Sequence, residues 1–272
     1  MVVIFQTFLL LKGVFCLSRQ IKSVFLVCCI GCGGTGGAFC TQFARFAAHH
    51  KDDVGLVIID GDLVEAKNIE RQPFFNEDLA LNKAVALASG IESSFDVPVL
   101  AYPEYIDSVE RLRSIISSAK KVFFSKYSSY MYDLRFVPII VGAVDNHRAR
   151  VVLHDLFCEL EDCIYIDSAN EFSYGEICYG VKCSGAVLSP DRVFYFPEVL
   201  EPAKSRLEMS CSELNDVQPQ HYATNIMAAN LVFSAISHFI TDGKFPSGIT
   251  YFDVFECRVQ NRPYSEFVSA VF

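Results

Sequence analysis

The sequence predicts an α/β fold with a doubly wound, mainly parallel sheet and a C-terminal antiparallel extension. Short apolar, β-branched runs alternate with helical segments up to about residue 167, which is typical of strands buried on both faces of a parallel sheet. A glycine-rich turn, residues 31–37, directly follows the first of these runs. Later runs are typical of antiparallel strands. Together these observations predict a Rossmann-like architecture whose ligand lies outside the carboxyl ends of the strands.

The parallel part is predicted element by element. The first strand, Lys22–Ile30, is a continuous apolar run that ends in the glycines, and a helix begins within that turn. The other strands are Val54–Asp60, Pro98–Tyr102, Pro138–Val144 and Ile164–Asp167. The helices are Gly36–His49, Asn82–Ser93, Ser108–Ser118 with Ser108 as N-cap, and Asn146–Leu160.

The C-terminal part follows a different pattern. Antiparallel strands are predicted at Tyr174–Cys183, Ile249–Asp253 and Glu256–Gln260, and a helix with little charge at Tyr222–Phe239. The polar, proline-containing stretch Pro197–Pro219 predicts a long crossing loop. The segment Ser125–Arg135 carries three tyrosines and matches no regular element.

Composition restricts the class of protein. The chain has 272 residues, 51% of them hydrophobic, which is enough to bury the core of one large domain. A net charge of −9 leaves no basic face for nucleic-acid phosphates. Residues 1–17 are apolar but lack a basic start and a cleavage site, and they are too short to cross a bilayer. We therefore expect no membrane segment, and interpret them as a packed element or a dimer contact.

The cysteines predict the compartment. Eleven cysteines are scattered through apolar runs, which indicates buried free thiols rather than a disulfide scaffold. A reducing, cytoplasmic location is expected. Cys29 and Cys32 form a C-x-x-C pair, but no second pair is present to complete a zinc site.

A glycine fingerprint follows the first predicted strand. Gly31, Gly33 and Gly36 fit G-x-G-x-x-G between a strand and a helix, the context in which backbone N–H groups approach a phosphate. Alone, the turn fits a nicotinamide or flavin site as well as an ATP site. It also fits a tight strand-to-helix turn without a ligand.

Charged and amide side chains follow the second predicted strand. Asp60 ends that strand, where a carboxylate can accept hydrogen bonds from ribose hydroxyls. Asn68, Arg71 and Lys83 come next, in a turn-rich segment and at the start of a helix. A guanidinium and an ammonium can hold a triphosphate and offset the charge on departing pyrophosphate. This combination favours adenylation over hydride transfer, with a solvated charged face as the alternative for the two cations.

A further carboxylate, Asp145, follows the apolar strand and lies at its carboxyl end. A carboxylate there can hold Mg²⁺ directly or through water, with phosphates as further ligands. The alternative is that Asp145 or Asn146 caps the following helix, and both roles are compatible. Arg148 and Arg150 are expected to be helix-surface or structural charges.

These motifs resemble, in order, those of the ThiF/MoeB family, which includes the ubiquitin-activating enzymes. They are the glycine turn, the segment from Asp60 to Gln72, Asn82-Lys83, and Asp145-Asn146-x-x-x-Arg150. The resemblance covers about residues 22–183. Farther on, the segment Ser210-Cys211-Ser212 and the elements after it are similar to the ThiF-like proteins of PRTRC plasmid and phage modules.

The resemblance implies an ATP-dependent adenylyltransferase, using ATP and Mg²⁺. A C-terminal glycine carboxylate of a ubiquitin-like β-grasp or sulfur-carrier protein attacks the α-phosphate and releases pyrophosphate, in a homodimeric enzyme. The catalytic set implied is Arg71, Lys83, Asp145 and Cys211, with Asp145 as metal ligand, Asp60 on the ribose, and Asn68, Arg71 and Lys83 on the phosphates. The implied nucleotide contacts are Gly31, Gly33, Gly34, Gly36, Asp60, Asp62, Asn68, Arg71, Gln72, Lys83 and Asn146.

Two segments are less defined by the resemblance. Cys211, the only thiol in a predicted polar loop, is similar to the thioester-forming cysteine of ubiquitin-activating enzymes, with an unreactive loop cysteine as the alternative. Arg19 lies where the family has an arginine that reaches the partner subunit's ATP, but the intervening helix is missing, so it has no assigned role.

The domain organisation predicted is an N-terminal apolar extension, residues 1–21, and an ATP-binding adenylation region, residues 22–185. The crossing loop, helix and strands of residues 186–272 are expected to complete the same domain. Two rival functions remain open: an NAD-binding Rossmann oxidoreductase, and a non-catalytic ThiF-like interaction subunit.

Overall fold

A computed structural model describes residues 20–127, 132–201 and 220–269. The described strands are β1 Gln20–Ile30, β2 Val54–Ile59, β3 Val99–Tyr102, β4 Tyr132–Gly142, β5 Cys163–Asn170, β6 Tyr174–Cys183, β7 Ala186–Ser189, β8 Gly248–Asp253 and β9 Arg258–Arg262. The described α-helices are α1 Gly34–Ala48, α2 Ala66–Ile69, α3 Lys83–Phe95, α4 Val109–Phe124, α5 His147–Glu159, α6 Arg192–Tyr195, α7 Tyr222–Asp242 and α8 Tyr264–Ser269. Short 3₁₀ turns occupy Asn76–Asp78 and Pro197–Leu200.

The strands form one sheet in the order β3-β2-β1-β4-β5-β6-β8-β9, with β7 paired to β6. The first five of these are parallel, and β6, β8 and β9 continue the sheet in antiparallel pairs. The predicted fold class is confirmed. The strand order reverses between β1 and β4, and in such sheets a crevice opens there at the carboxyl ends of the strands.

Helices cover both faces of the parallel strands, and each face has its own core. On one face Val27 and Cys29 of β1 pack with apolar side chains of α1, α3 and α7. On the other, Leu26 and Cys28 pack with α4 and α5. Because both faces are covered, successive residues of β1 are apolar, which is why its sequence does not alternate.

Strand β4 begins earlier and helix α4 ends later than the sequence predicts, and β5 and α7 are also longer than predicted. Strand β4 begins at Tyr132 rather than Pro138, because residues 132–137 pair with residues 20–25 of β1. Tyr132 to Arg135 therefore belong to a strand, while residues 128–131 of the unassigned tyrosine segment lie outside the described residues. Helix α4 continues to Phe124, whose side chain is buried in the core with Ala119.

The C-terminal part differs in its turns. Strand β9 begins at Arg258 rather than Glu256, because residues 254–257 form the turn after β8 and Cys257 has a left-handed φ of 50°. The exposed Cys257 thus lies in a loop, so the prediction that Cys211 is the only such thiol is wrong. Pro197 begins a short 3₁₀ turn, and residues 202–219 of the predicted crossing loop, with Cys211, lie outside the described residues. Elements α2, α6, α8 and β7 were not predicted.

Helix α7 is the one described helix that is long and apolar enough to cross a membrane, with 21 residues and a mean hydropathy of 1.3. Its Ala228, Val232 and Ile236 side chains are fully buried in the core. The helix therefore covers the sheet in this fold.

The described cysteines are all free. Six of them are buried, namely Cys28, Cys29, Cys32, Cys40, Cys163 and Cys178. The prediction of buried free thiols is confirmed for these six. Among the described residues, no group of three or more His, Cys, Asp or Glu side chains could hold a metal ion.

Candidate active site

The glycine turn leaves no room for side chains between β1 and β4. Gly31 has a φ of +91°, and a Cβ there would lie 2.4 Å from the carbonyl oxygen of Ala143. A Cβ on Gly36 would lie 1.9 Å from the carbonyl oxygen of Gly31. Helix α1 therefore starts directly against the ends of two neighbouring strands. Its N-cap, Gly33, offers no side-chain acceptor, so the first N–H groups of α1 remain directed at the crevice, as an anion site requires.

Asp60 follows β2 and is bound to this turn. Its Oδ2 accepts a hydrogen bond from the backbone N–H of Cys32 at 2.5 Å, and its Oδ1 one from the N–H of Asp62 at 2.8 Å. Burial raises the pKa of Asp60, and the two amide donors partly offset that effect. Each oxygen keeps a lone pair that can accept a ribose hydroxyl.

Asp62 and Lys83 form a half-buried ion pair beside Asp60. Lys83 Nζ donates to Asp62 Oδ2 at 2.9 Å, and the lysine is only 7% exposed. The Tyr105 hydroxyl donates to Asp62 Oδ1 at 2.5 Å. Burial opposes ionisation of Asp62, but the bonds from Lys83 and Tyr105 outweigh it and lower the pKa of that carboxyl.

Asn82 fixes the start of α3. Its Nδ2 donates to the carbonyl oxygens of Asp60 and Asp62 at 2.8 and 3.0 Å. Its Oδ1 caps the helix by accepting from the N–H groups of Ala84 and Val85. One amide side chain thereby sets the position of Lys83 relative to the acidic loop.

The segment from Asn68 to Pro73 crosses the N-terminus of α1. A Cβ on Gly37 would lie 2.7 Å from the Pro73 ring, and a Cβ on Gly33 would lie 3.9 Å from Gln72 Nε2. The Gln72 Oε1 atom is buried and has no hydrogen-bond partner among the described residues. A buried acceptor without a donor at the glycine turn is the kind of atom that a bound ligand satisfies.

Asn68 and Arg71 differ in their interactions with the rest of the described chain. Asn68 is 5% exposed, and its Oδ1 accepts from the backbone N–H of Glu65 at 2.8 Å. Only its Nδ2 group is left for a phosphate. Arg71 is half-buried, and its guanidinium forms no ion pair with a described residue. It is a cation available to an anionic ligand.

Asp145 leaves β4 beside the glycine turn and is exposed. Its Oδ1 accepts only from the neighbouring Asn146 Nδ2 at 3.3 Å, and no described cation pairs with it. Asn146 caps α5, since its Oδ1 accepts from the Ala149 N–H at 2.9 Å. The capping alternative therefore holds for Asn146, while Asp145 is free to bind a cation. The buried Arg150 is structural, as expected, and donates to the Val144 carbonyl at 3.0 Å.

A partly buried network of amide side chains borders the same turn, and no sequence pattern indicates it. Asn170 Nδ2 donates to Thr35 Oγ1 at 2.7 Å and to Asn225 Oδ1 at 3.1 Å. A Cβ on Gly34 would lie 2.2 Å from Asn225 Nδ2. Gly34 is thus required for packing against α7, and its partner lies so far along the chain that no local signal could reveal it.

Mg²⁺ fits this donor set only together with phosphates. The described residues hold no cluster of three or more metal-ligating side chains, and Asp145 supplies a single free carboxylate at the crevice. Mg²⁺ usually binds through one or two carboxylates plus substrate phosphates and water. The site is therefore suited to a metal that arrives with a nucleotide.

The predicted site residues thus fall into three groups. The glycines, Asp60, Asp62 and Lys83 lie around one helix N-terminus, with Gln72 and Arg71 on the segment above it and Asp145 at the neighbouring strand end. Asn68 and Asn146 are largely committed to local hydrogen bonds. Cys211 lies outside the described residues, so its role stays a prediction, and Arg19, which has no assigned role, lies outside them as well. Tyr105, Asn170 and Asn225 were not predicted.

The chain is similar to known proteins in both sequence and structure. The model of a family described as ThiF matches residues 17–266. No curated protein matches the chain. Among solved structures, PaaA has a TM-score of 0.56 and 15% identity, covering 88% of this chain and 72% of PaaA.

E. coli MccB is also similar, with a TM-score of 0.56 and 16% identity, covering 88% of this chain and 62% of MccB. MccB has been solved with ATP, a structure with a TM-score of 0.57 and 14% identity that covers 90% of this chain and 64% of MccB. It has also been solved with AMPCPP and MccA. The chain spans less than two thirds of the length of MccB. Likeness at this identity shows the fold.

Proposed function

Since this chain belongs to the ThiF family, we propose that it is an ATP-dependent adenylyltransferase that activates the C-terminal carboxylate of a small protein or peptide as an acyl-adenylate. The observation that carries the proposal is the close approach of Gly31 to Ala143. It brings Ala143, which follows β4 and lies two residues before Asp145, against the glycine turn to which Asp60 is bonded.

The reaction consists of one displacement at phosphorus. A carboxylate oxygen of the acceptor attacks the α-phosphorus of ATP and forms the acyl–phosphate bond. The bond between the α-phosphorus and its bridging oxygen to the β-phosphate breaks, and the electron pair leaves on pyrophosphate. No proton is transferred, so no side chain is needed as acid or base. Positioning and charge neutralisation supply most of the rate.

Four side chains are suited to hold the nucleotide. Asp60 has a spare lone pair on each oxygen for the ribose hydroxyls. Arg71 has no ion-pair partner among the described residues and is suited to offset charge on the departing pyrophosphate. Lys83 can reach phosphate by leaving or sharing Asp62. The unpaired Gln72 Oε1 can accept a ligand hydroxyl or amino group.

Asp145 is the residue that we assign to Mg²⁺. A bound Mg²⁺ would neutralise phosphate charge and stabilise pyrophosphate as it leaves. The carboxylate is exposed at the crevice, and Asn146 Nδ2 restrains one of its oxygens. Asn146 also caps α5, so the position of Asp145 follows from the start of that helix.

The acceptor class is the finer part of the proposal. The sequence resemblance favours a ubiquitin-like or sulfur-carrier protein that ends in glycine. That MccB has been solved with ATP and with MccA supports an acceptor of peptide or small-protein size. A thioester on Cys211 is a further step that we leave as a prediction.

Two aspects of the assembly are also proposed. A second copy of the chain is expected to bind at residues 63–85, because this segment exposes five apolar side chains: Leu63, Phe75, Leu79, Leu81 and Val85. Sedimentation of wild type and a Phe75→Ser variant tests this homodimer. A cytoplasmic location is favoured because all described cysteines are free thiols.

The binding test compares nucleotides by their effect on the melting temperature. ATP with Mg²⁺ is expected to raise it and NAD to leave it unchanged, because a ligand that binds only the folded state stabilises that state. A rise with NAD alone would contradict the proposal and favour the oxidoreductase.

The catalytic test is ATP–pyrophosphate exchange with glycine-terminated β-grasp proteins, each compared with its C-terminally amidated form. Exchange is expected only with the free carboxylate, which is the nucleophile. Asp145→Ala is expected to reduce exchange by about a hundredfold or more while the fold stays intact. The control is Asp155→Ala, an exposed carboxylate on α5, which is expected to leave exchange unchanged. ATP binding without exchange for any acceptor would favour the interaction subunit.

A further inference from the structure

Tyr105 lies over the crevice although it is not one of the motif residues. It follows β3, and its ring covers Gly61 so closely that a Cβ on that glycine would lie 2.5 Å from a ring carbon. Its phenol donates to Asp62 Oδ1 at 2.5 Å. The residue is nevertheless 69% exposed, so packing alone does not explain its position.

The loop that carries Tyr105 is anchored at Glu104, the residue before it. The backbone N–H of Glu104 donates to the Tyr102 carbonyl at 2.9 Å. The Glu104 carboxylate accepts two hydrogen bonds from the Arg111 guanidinium, at 2.8 and 2.5 Å. A two-point bond of this kind fixes direction as well as distance. The phenol is therefore presented to Asp62 by a defined loop.

The Asp62 carboxylate accepts hydrogen bonds from two donors, which share its single negative charge. Its Oδ2 accepts from Lys83 Nζ and its Oδ1 from Tyr105. Asp62 is the only ion-pair partner of Lys83 in the described part of the chain. The bond to Asp62 raises the pKa of Tyr105 to about 12, so the phenol stays a neutral donor at all physiological pH values.

We propose that Tyr105 is a positioning residue that acts through Asp62: by sharing the carboxylate, it sets how readily Lys83 leaves that ion pair for the phosphates of the nucleotide. This rests on the proposed function. When Lys83 moves to phosphate, the phenol still satisfies Asp62, so the half-buried carboxylate is not left without a partner. Without the phenol, Asp62 holds Lys83 more strongly.

The first experiment measures the reactivity of the Lys83 amine in the absence of nucleotide. Pulse acetylation with acetic anhydride, quantified by mass spectrometry against the exposed Lys121, measures how well the ion pair protects the amine. Tyr105→Phe is expected to slow acetylation of Lys83 by about threefold. This effect is smaller than that of a full hydrogen bond to a charged group, because the phenol is exposed to solvent. Asp62→Asn is expected to speed it, and Tyr105→Phe in the Asp62→Asn background to change nothing further. The matched control is Tyr174→Phe, an exposed tyrosine with no such bond.

The second experiment measures affinity by calorimetry for ATP with Mg²⁺ and for adenosine, which has no phosphates. Tyr105→Phe is expected to lower the affinity for ATP by about threefold and to leave the affinity for adenosine unchanged, because Lys83 binds only the phosphates. Equal loss for both ligands would overturn the proposal, since it would show direct contact between Tyr105 and the nucleoside.

The outcomes separate this inference from the proposed function. If wild type binds neither ligand while the acetylation pattern is as expected, the proposed function fails and the control of Lys83 by Tyr105 stands. The positioning role is wrong if Lys83 is acetylated at the same rate in the Tyr105→Phe variant as in the Tyr174→Phe control. It is also wrong if Tyr105→Phe still slows acetylation in the Asp62→Asn background.

Discussion

Arg150 donates a hydrogen bond from Nη2 to the carbonyl oxygen of Val144 at 3.0 Å. Val144 directly precedes Asp145, and the same guanidinium forms an ion pair with Asp167 at 3.3 Å. Asp167 is 1% exposed and also accepts hydrogen bonds from Tyr165 and Arg192. A buried charge network thus supports the residue that we assign to the metal.

Arg150→Gln is expected to lower the free energy of unfolding by about 3 kcal/mol, because it leaves Asp167 with one fewer buried cation. It should also reduce ATP–pyrophosphate exchange, since the Val144 carbonyl loses its donor. Chemical denaturation and the exchange assay measure the two effects. Arg148→Gln is the control, since Arg148 is exposed on the same helix; an equal loss of stability in both variants would contradict the assigned network.

Two glycine-to-alanine substitutions should change the free energy of unfolding in opposite directions. Gly36→Ala puts a Cβ 1.9 Å from the backbone oxygen of Gly31, so it is expected to destabilise the fold by about 1–3 kcal/mol or more. Gly90→Ala meets nothing within 4 Å inside α3, so it is expected to stabilise it by about 0.5–1 kcal/mol. Thermal or denaturant unfolding distinguishes them. A stable Gly36→Ala protein with full nucleotide affinity would show that the turn is looser than described.

The His154–Asp191 pair should make stability depend on pH. His154 Nδ1 lies 2.7 Å from Asp191 Oδ2, and this bond raises the pKa of His154 above its ordinary value of 6.5, although burial opposes the shift. The protonated imidazole is therefore favoured in the folded state. Its stabilisation is complete below pH 6.5 and is lost as the pH rises through the higher folded-state pKa.

His154→Gln is thus expected to lose stability relative to wild type at low pH and to approach it at high pH. Melting temperatures between about pH 5.5 and about pH 8.5 measure the difference. His238→Gln, exposed on α7, is the control. A difference between His154→Gln and wild type that stays constant across this range would show that the pair does not titrate.

Local signals in the sequence predicted much of this fold correctly. Ser108 and Asn146 cap α4 and α5 as expected, because capping depends on residues three positions apart. The glycine fingerprint and the apolar strands were recognisable because their requirements lie within a few neighbouring residues. The start of β4 could not be predicted, since it depends on pairing with β1.

The candidate site divides in the same way. Asp60, Lys83 and Asp145 were found because each follows a strand or begins a helix at one edge of a parallel sheet, and the order of elements along the chain determines that edge. By itself, therefore, the sequence determined the fold class and the edge of the sheet at which Asp60, Lys83 and Asp145 lie. Only the tertiary structure decided that Tyr105 shares Asp62 with Lys83, that Asn225 packs on Gly34 and that Arg150 supports Val144. The first two contacts join residues far apart in the chain, and the third depends on the buried Asp167; contacts of this kind form only when separate elements pack together, so no local pattern records them.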